Sequence, residues 1–336
     1  MLLQILWQPD VVLIVEPPFS CAPTALVVAK LAGARTWLHI QDFEVDAAFD
    51  LGILRGQWVK RMVEAAESWL IRRFDVVSTI SPRMLARAQA KGVKADRLVL
   101  FPNWVDVAAI TPGVAVQSDG RADAPVTSAS GNAGHYFRLQ LGIAADAVVA
   151  LYSGNMGAKQ GLELLAETAK LCLSQAKQAN AAIFFVFCGN GAGRADLLQR
   201  CDRIANVHFL DLQPIELLPI LLAMADIHLL PQRADAADLV MPSKLTGMLA
   251  SARPVIATAN LGTELAQVVQ GCGLVVPPED PQALADAIFK LAADAALRKQ
   301  LGKAGRAYAV QHMDREAVLK SFEAKLMTLK VNRLKK

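Results

Sequence analysis

The sequence predicts an α/β protein built of two doubly wound parallel-sheet domains. Three observations carry that prediction. Short continuous apolar runs alternate with longer helical stretches along most of the chain, the pattern of parallel strands covered on both faces. At 336 residues the chain is too long for one ordinary domain and sufficient for two. Between Thr111 and about Gly134 the alternation stops, and Gly, Ser, Ala, Asp and Pro dominate without an apolar period, as in a linker.

The elements follow in order. Asp10 to Val15 is a buried-strand pattern ending at Glu16-Pro17-Pro18, and Thr24 to Leu31 is a helix stopped by Gly33. Thr36 to Ile40 is a second strand, leading into Gln41-Asp42-Phe43-Glu44. A long amphipathic helix spans Gln57 to Phe74, followed by a strand at Val76 to Thr79, a turn at Ser81-Pro82 and a helix to about Lys91. The strand Leu98 to Phe101 ends at Pro102-Asn103-Trp104. After the linker come strands at Val148 to Ser153, Ile183 to Cys188, Val207 to Leu210, Ile227 to Leu230 and Pro254 to Ala257. Helices start near Gly161 and Ala195, an apolar segment covers Ile215 to Met224, and helices from Pro281 close the chain. The boundaries expected are a first domain at 1–110, a linker at 111–140, a second domain at 141–315, and a helix with a basic tail at 316–336.

Composition narrows the function. The apolar fraction of 54% with only 6% aromatics rests on Ala, Leu and Val, as helices packed on parallel strands require. A net charge of +4 suits anionic small molecules or lipid headgroups and is too weak to indicate nucleic acid. No run of ~18 apolar residues predicts a transmembrane helix. The first residues lack a basic n-region, and Gln4, Gln8 and Asp10 interrupt their apolar run, so no signal peptide is expected. The five cysteines are widely spaced, without a Cys-x-x-Cys pair or a His at metal-ligand spacing. They read as reduced cytosolic thiols in cores or strand ends.

The most informative segment is 238–264. A loop opened by Asp238 ends in Pro242-Ser243-Lys244 at the start of an apolar helix that begins with Leu245. A helix start offers unpaired N–H groups and a positive dipole end; Ser243 can cap it, and Lys244 adds a full charge, so the site suits phosphate. After the strand at Pro254 to Ala257, the next loop carries Gly262, Thr263 and Glu264, and Glu264 can accept hydrogen bonds from hydroxyls. Phosphate on one loop and hydroxyls on the next describe a nucleotide-sugar pocket.

Other loops offer supporting chemistry. In Gly154-Asn155-Met156-Gly157, small residues let backbone N–H groups approach an anion, and Lys159 can neutralise diphosphate charge. Gly189-Asn190-Gly191-Ala192-Gly193-Arg194 follows a strand with Asp211 downstream, but Arg194 stands where a dinucleotide fingerprint needs its third glycine. His39-Ile40-Gln41-Asp42 ends a first-domain strand, where α/β folds place ligands. As a lone histidine in an apolar strand, His39 also fits a core position. The helix at Gln57–Phe74, with Arg55, Lys60, Arg61, Arg72 and Arg73 among Trp58, Met62 and Trp69, can either lie on an anionic membrane surface or pack its apolar face inward.

The chain resembles the family 4 glycosyltransferases, retaining enzymes of the GT-B fold, and more closely their colanic-acid and exopolysaccharide branch. The resemblance rests on segment 238–264, on Tyr152-Ser153-Gly154-Asn155-Met156-Gly157, Lys159-Gln160-Gly161-Leu162-Glu163 and Phe187-Cys188-Gly189-Asn190-Gly191, and on Gly273 to Asp280. It implies two Rossmann-like domains with the active site in the cleft between them. The implied reaction is transfer of a sugar from a nucleoside diphosphate to a saccharide acceptor, usually lipid-linked, with the anomeric configuration kept and with no metal or other cofactor.

In that reading Gly154, Asn155, Lys159, Gly189, Gly191, Arg194, Asp238, Ser243, Lys244, Leu245, Gly262, Thr263 and Glu264 bind the donor. Asp42, His39 or Gln41 act near the transferred sugar, though relatives often carry His where Gln41 stands. Relatives also carry two Glu that grip sugar and ribose; here Gly247 occupies the second position, and the first falls on or beside Leu239. Relatives normally begin with a strand, a glycine-rich loop and a further strand–helix unit, so the first domain is expected to be shortened at its N-terminus. The resemblance implies a cytoplasmic location, peripheral on the inner face of the plasma membrane. Two alternatives remain: a nucleotide-sugar epimerase of the same fold, and an inactive remnant that only binds nucleotide.

Overall fold

A computed structural model describes residues 7–16, 19–43, 57–112, 135–157, 160–179, 182–234 and 241–334. Two compact units emerge. The first contains residues up to Trp104, Met241 and the C-terminal segment from Arg315; the second contains Val105 onward and Pro242–Asp314.

In the first unit, strands β1 (Val11–Glu16), β2 (Arg35–Ile40), β3 (Val76–Thr79) and β4 (Leu98–Leu100) pair in parallel in sequence order. They are joined through helices α1 (Ala22–Ala32), α2 (Gln57–Ile71) and α3 (Pro82–Ala90). Helix α1 ends at Gly33, whose φ of 63° lets its N–H turn back to Ala29 and Lys30. Helix α3 begins with Pro82 behind Ser81, whose hydroxyl accepts from the Met84 amide at 3.3 Å. Right-handed crossovers that always step in the same direction place the connecting helices on one face. Accordingly Leu38, Ile40 and Val77 share a core with Ala22, Leu70, Ile71, Phe74, Met84 and Ala88.

The opposite face is covered from the far end of the sequence. Helix α12 (Arg315–Leu334) brings Phe322 within 4.7 Å of the Trp37 ring and 4.6 Å of Phe101. The sequence sets this helix apart as a tail, and the structure makes it part of the first unit.

The second unit contains α4 (His135–Gln140), β5 (Val148–Ser153), α5 (Glu163–Ala179), β6 (Ile183–Cys188), α6 (Arg194–Arg200), β7 (Val207–Leu210), α7 (Leu218–Met224), β8 (Ile227–Leu230), α8 (Lys244–Ala250), β9 (Val255–Thr258), α9 (Glu264–Gln270), β10 (Gly273–Val276), α10 (Pro281–Ala293) and α11 (Ala295–His312). Its strands run in the order β10-β9-β8-β5-β6-β7, all parallel. Two cores flank the sheet. Tyr152, Phe185, Phe187 and Leu229 face α5 and α10, while Val149, Leu151 and Val186 face α7. The chain order therefore reverses between β5 and β8, and in open α/β sheets ligands bind above the strand ends at such a reversal.

His135–Gln140, which the sequence assigns to the linker, is helical because Arg138 ties it down. Its guanidinium donates to the carbonyls of Met224 and Ala147 and pairs with Asp226 at 2.6 Å. A charge with that many acceptors is satisfied even though buried. The rest of the expected linker, residues 113–134, lies outside the described residues.

Candidate functional site

The reversal in the second sheet assembles three loops. Tyr152, near the end of β5, is fully buried, and its hydroxyl donates to the carbonyl of Asn155 at 2.5 Å. Lys244, the first residue of α8, reaches back to the same hydroxyl at 3.1 Å, with its ammonium 4.2 Å from the centre of the Tyr152 ring. The lysine stem passes Gly154, where an added Cβ would lie 3.5 Å from Lys244 Cδ; Gly154 also holds a φ of 131° that side-chain-bearing residues rarely adopt. Burial lowers the Lys244 pKa to about 8. Among the described residues its recorded partner is the neutral tyrosine, by hydroxyl and ring face, so a positive charge stands half-buried at the strand ends without a paired carboxylate.

The glycines of the neighbouring loops have a different cause from the one the sequence suggests. The loops after β5 and β6 lie backbone against backbone: Gly154 N donates to Cys188 O, Met156 N to Asn190 O, and Gly193 N to Met156 O, at 2.7–3.0 Å. A Cβ on Gly189 would lie 2.0 Å from Gly154 O, and one on Gly191 would lie 2.6 Å from Met156 O and 2.7 Å from Asn155 Oδ1. Gly157 N is taken by the Gln160 side chain at 3.0 Å. These amides are spent inside the loops, so they form no open anion cradle. The Gly-rich pattern is explained by close packing of two turns.

Several other expectations change on inspection. Ser243 does not cap α8; its backbone is helical and its side chain makes no cap bond. Its carbonyl instead accepts from the Thr246 amide and hydroxyl, leaving the hydroxyl exposed beside Lys244. Leu245 is fully buried and its amide returns to Pro242, so it serves the core. Thr263 is the cap of α9: its hydroxyl accepts from Ala266 N at 3.2 Å and donates to Asn260 O at 2.8 Å. Glu264, first in α9, is half-buried at the positive helix end that favours a carboxylate. Gly262 sits before it with a φ of 90° and open space around a Cβ.

Arg194 pairs with the exposed Asp211 at 2.6 Å, while its Nε is buried without an acceptor. That pairing, rather than a ribose contact, accounts for the acid downstream of the Gly189 loop. Gly247 faces Leu222 and Ile110, an apolar setting in which a carboxylate would be costly. Lys159, Asp238 and Leu239 lie outside the described residues.

In the first unit, the three candidates at the end of β2 separate. His39 points to the face covered by α12. Its Nδ1 is 2.9 Å from the Ser78 hydroxyl, which also accepts from Trp37 Nε1 at 2.8 Å, and its ring meets Phe101 edge-on at 5.1 Å. Burial lowers the histidine pKa to about 4, so His39 is a neutral core residue. Gln41 is exposed, with its amide bound to Glu16 O at 3.2 Å, and Asp42 is half-buried next to it.

Sequence reasoning missed three polar groups. Tyr152 reads as one more apolar strand residue, and only the fold shows its hydroxyl at the loop. Glu16 is a buried carboxylate at the end of β1, paired with Ile40 at the end of the strand that leads into Gln41. Gln232, just beyond β8, is buried with no donor to its Oε1 among the described residues, its backbone held by Thr258. No signal beyond position at a strand end could have selected them.

Comparison with known proteins agrees with this geometry. The family described as "Glycosyl transferases group 1" matches residues 147–294, and the "Glycosyl transferase 4-like domain" matches residues 2–104. The chain is 37% identical over 324 residues to the Escherichia coli protein assigned as colanic acid biosynthesis glycosyl transferase WcaI, covering 94% of this chain and 73% of that protein. It is 24% identical over 287 residues to the Pseudomonas aeruginosa protein assigned as glycosyltransferase WbjE, covering 84% of this chain and 66% of that one. Among solved structures, Anabaena Alr3699/HepE in complex with UDP and glucose superimposes with a TM-score of 0.71 at 16% identity, covering 97% of this chain and 80% of that chain. Sucrose-phosphate synthase from Thermosynechococcus elongatus superimposes with a TM-score of 0.68 at 20% identity, covering 96% and 74%. With two parallel-sheet α/β units and matches to the family in both halves, the chain belongs to the group 1, GT4-like glycosyltransferases of the GT-B fold.

Proposed function

We propose that this glycosyltransferase takes a sugar from a nucleoside diphosphate donor and passes it, with retained anomeric configuration, to a saccharide acceptor carried on a lipid, in the synthesis of a cell-surface polysaccharide. The observation that carries the donor assignment is the half-buried ammonium of Lys244 at the reversal of the second sheet, held by Tyr152 and unmatched by a described carboxylate. A diphosphate supplies the missing negative charge. As the sugar leaves, charge accumulates on that diphosphate, and a fixed cation stabilises it where bulk water would have to reorganise. The exposed Ser243 hydroxyl donates to a phosphate oxygen beside it, Glu264 accepts from sugar hydroxyls, and Arg194 and Asn155 border the nucleotide. Asp42 is the acceptor-side candidate of the first unit. The relative assigned to colanic acid synthesis supports the polysaccharide setting, and the fold neighbour bound to UDP and glucose supports the donor class.

The test is thermal melting with UDP, GDP, CMP and NAD, because a ligand that binds only the native state raises the midpoint. UDP or GDP should raise it, and Lys244→Met should abolish the rise. No shift with any of the four ligands would remove the donor reading. Release of free nucleoside diphosphate that depends on added acceptor then separates transfer from epimerisation.

A further inference from the structure

Gln232 follows β8 at only 9% exposure, so its side-chain amide is almost wholly out of water. Its recorded hydrogen bonds belong to the main chain. The N–H donates to Thr258 Oγ1 and the carbonyl accepts from the same hydroxyl, each at 2.8 Å. No donor among the described residues reaches the side-chain Oε1. A buried amide oxygen without a donor is costly, and such a group in a native protein calls for a partner that the bare fold does not contain. The backbone that carries it is nevertheless pinned on both sides. Thr258 holds Gln232 itself, and the next residue, Arg233, pairs with Glu163 at the start of α5 at 3.0 Å. The Arg233 stem passes Gly161, where an added Cβ would lie 3.1 Å from its Cγ. A fixed backbone under an unmatched polar side chain is what a binding residue requires.

Strand order says which part of a ligand would meet it. β8 pairs with β5 through Ala150 and Ile227 and through Leu151 and His228, and with β9 through Leu230 and Ala257. Gln232 therefore follows the strand that lies between the one leading to Gly154 and the one leading to Gly262–Glu264. With the diphosphate at Lys244 beside Gly154 and the sugar hydroxyls toward Glu264, β8 ends at the join between phosphate and sugar. The chemistry of the unmatched atom decides between the two. An ionised phosphate offers only acceptors and cannot serve Oε1, whereas sugar hydroxyls both donate and accept and can satisfy an amide at both ends.

We infer that Gln232 is a specificity-determining residue for the transferred sugar, its Oε1 accepting from one ring hydroxyl and its Nε2 donating to the neighbouring one. The inference rests on the donor assignment made above and adds the residue that reads the sugar. A buried group built to bond a hydroxyl rejects an analogue lacking it, because the group is then left unpaired. Gln232 thus separates sugars by their hydroxyls, while Lys244 holds the diphosphate common to all of them.

Titration calorimetry of the full chain tests it, with UDP, GDP, UDP-glucose, UDP-N-acetylglucosamine, GDP-mannose and GDP-fucose as probes. At least one sugar nucleotide should bind the parent more tightly than its own nucleoside diphosphate. Gln232→Met keeps the length of the side chain and removes its polar atoms. It should weaken that sugar nucleotide about tenfold and leave the nucleoside diphosphate within about twofold. Lys244→Met should weaken both alike. The melting midpoint of unliganded Gln232→Met should equal or exceed the parent's, since an unpaired buried amide gives way to an apolar group of similar shape. A fall of several degrees would make the amide a structural group and overturn the inference. Equal losses for the sugar nucleotide and the nucleoside diphosphate, no loss for either, or a parent that gains nothing from the sugar would overturn it too. Failure of the two readings is distinguishable. No nucleotide binding by the parent, or binding indifferent to Lys244→Met, removes the donor site and this inference with it. Binding that depends on Lys244 without a Gln232-dependent preference for the sugar removes the inference alone.

Discussion

The Lys244 ammonium sits 4.2 Å from the centre of the Tyr152 ring and 3.1 Å from that residue's hydroxyl oxygen. One tyrosine thus positions the cation by face and by edge, while its own proton fixes the Asn155 carbonyl. Tyr152→Phe keeps the ring and removes both hydrogen bonds. It should cost about 1–2 kcal/mol of stability and weaken nucleoside diphosphate binding several-fold, measured by melting and calorimetry on the same preparation.

The lowered pKa of Lys244 gives two opposite pH trends. Its folded value of about 8 lies below the ordinary 10.5. Between those values the unfolded chain holds the proton and the folded chain does not, so this residue makes unliganded stability rise with pH there. Diphosphate binding needs the charged form, so affinity should fall as pH climbs from 7 through 8 and beyond. Lys244→Met should show neither trend.

Gly189→Ala tests the packed-loop account of the glycine pattern. The new Cβ would meet the Gly154 carbonyl oxygen at 2.0 Å, on a backbone with φ of 143°. A loss of about 3 kcal/mol or more is expected from strain and displacement together, read as denaturant midpoint. A variant as stable as the parent would show that the two loops are not locked together.

His39→Ala should lower stability by about 2–3 kcal/mol, through a cavity beside Phe101 and a Ser78 hydroxyl left without its imidazole partner. The pH signature is distinctive. A folded pKa of about 4 against an ordinary 6.5 means that the neutral residue supports the fold fully above 6.5 and loses that support as pH falls toward 4. The variant should therefore lose less stability over that range. Turnover measured well below its midpoint should stay within about threefold of the parent; a loss on the order of 100-fold there would restore His39 to the chemistry.

The strands were legible because parallel strands buried on both faces read as short apolar runs, and Val76–Thr79, Ile183–Cys188 and Ile227–Leu230 have the expected bounds. The segment around Lys244 was legible because a cation at a helix start has few structural uses. What the sequence hid was how local polar groups are spent. Ser243 and Thr263 look alike as small hydroxyls before a helix, yet only Thr263 has the extended backbone a cap needs. The glycines of 154–157 and 189–193 suggest open amides, and the structure closes them on each other. His135–Gln140 lacks a helical pattern of its own and owes its form to Arg138 reaching Asp226, which lies 88 residues away. The same holds for α12: its basic, weakly patterned sequence gives no hint that Phe322 belongs over Trp37.

Phe322→Ala should destabilise the first unit by about 3–4 kcal/mol, because the ring stacks on Phe101 and packs at a tilt against Trp37. A separate, lower-temperature transition should appear for that unit, with the second unit's melting unchanged. A single unshifted transition would show that the helix contributes nothing to the sheet it covers.

That arrangement also sets an order of events in the living cell. Domains usually fold as they leave the ribosome, the earliest-made first. Here the first unit's sheet keeps one side of Trp37 and His39 bare until Phe322, which follows the second unit in sequence, has been synthesised. The first unit therefore waits, with an apolar face uncovered, for the second unit to be made.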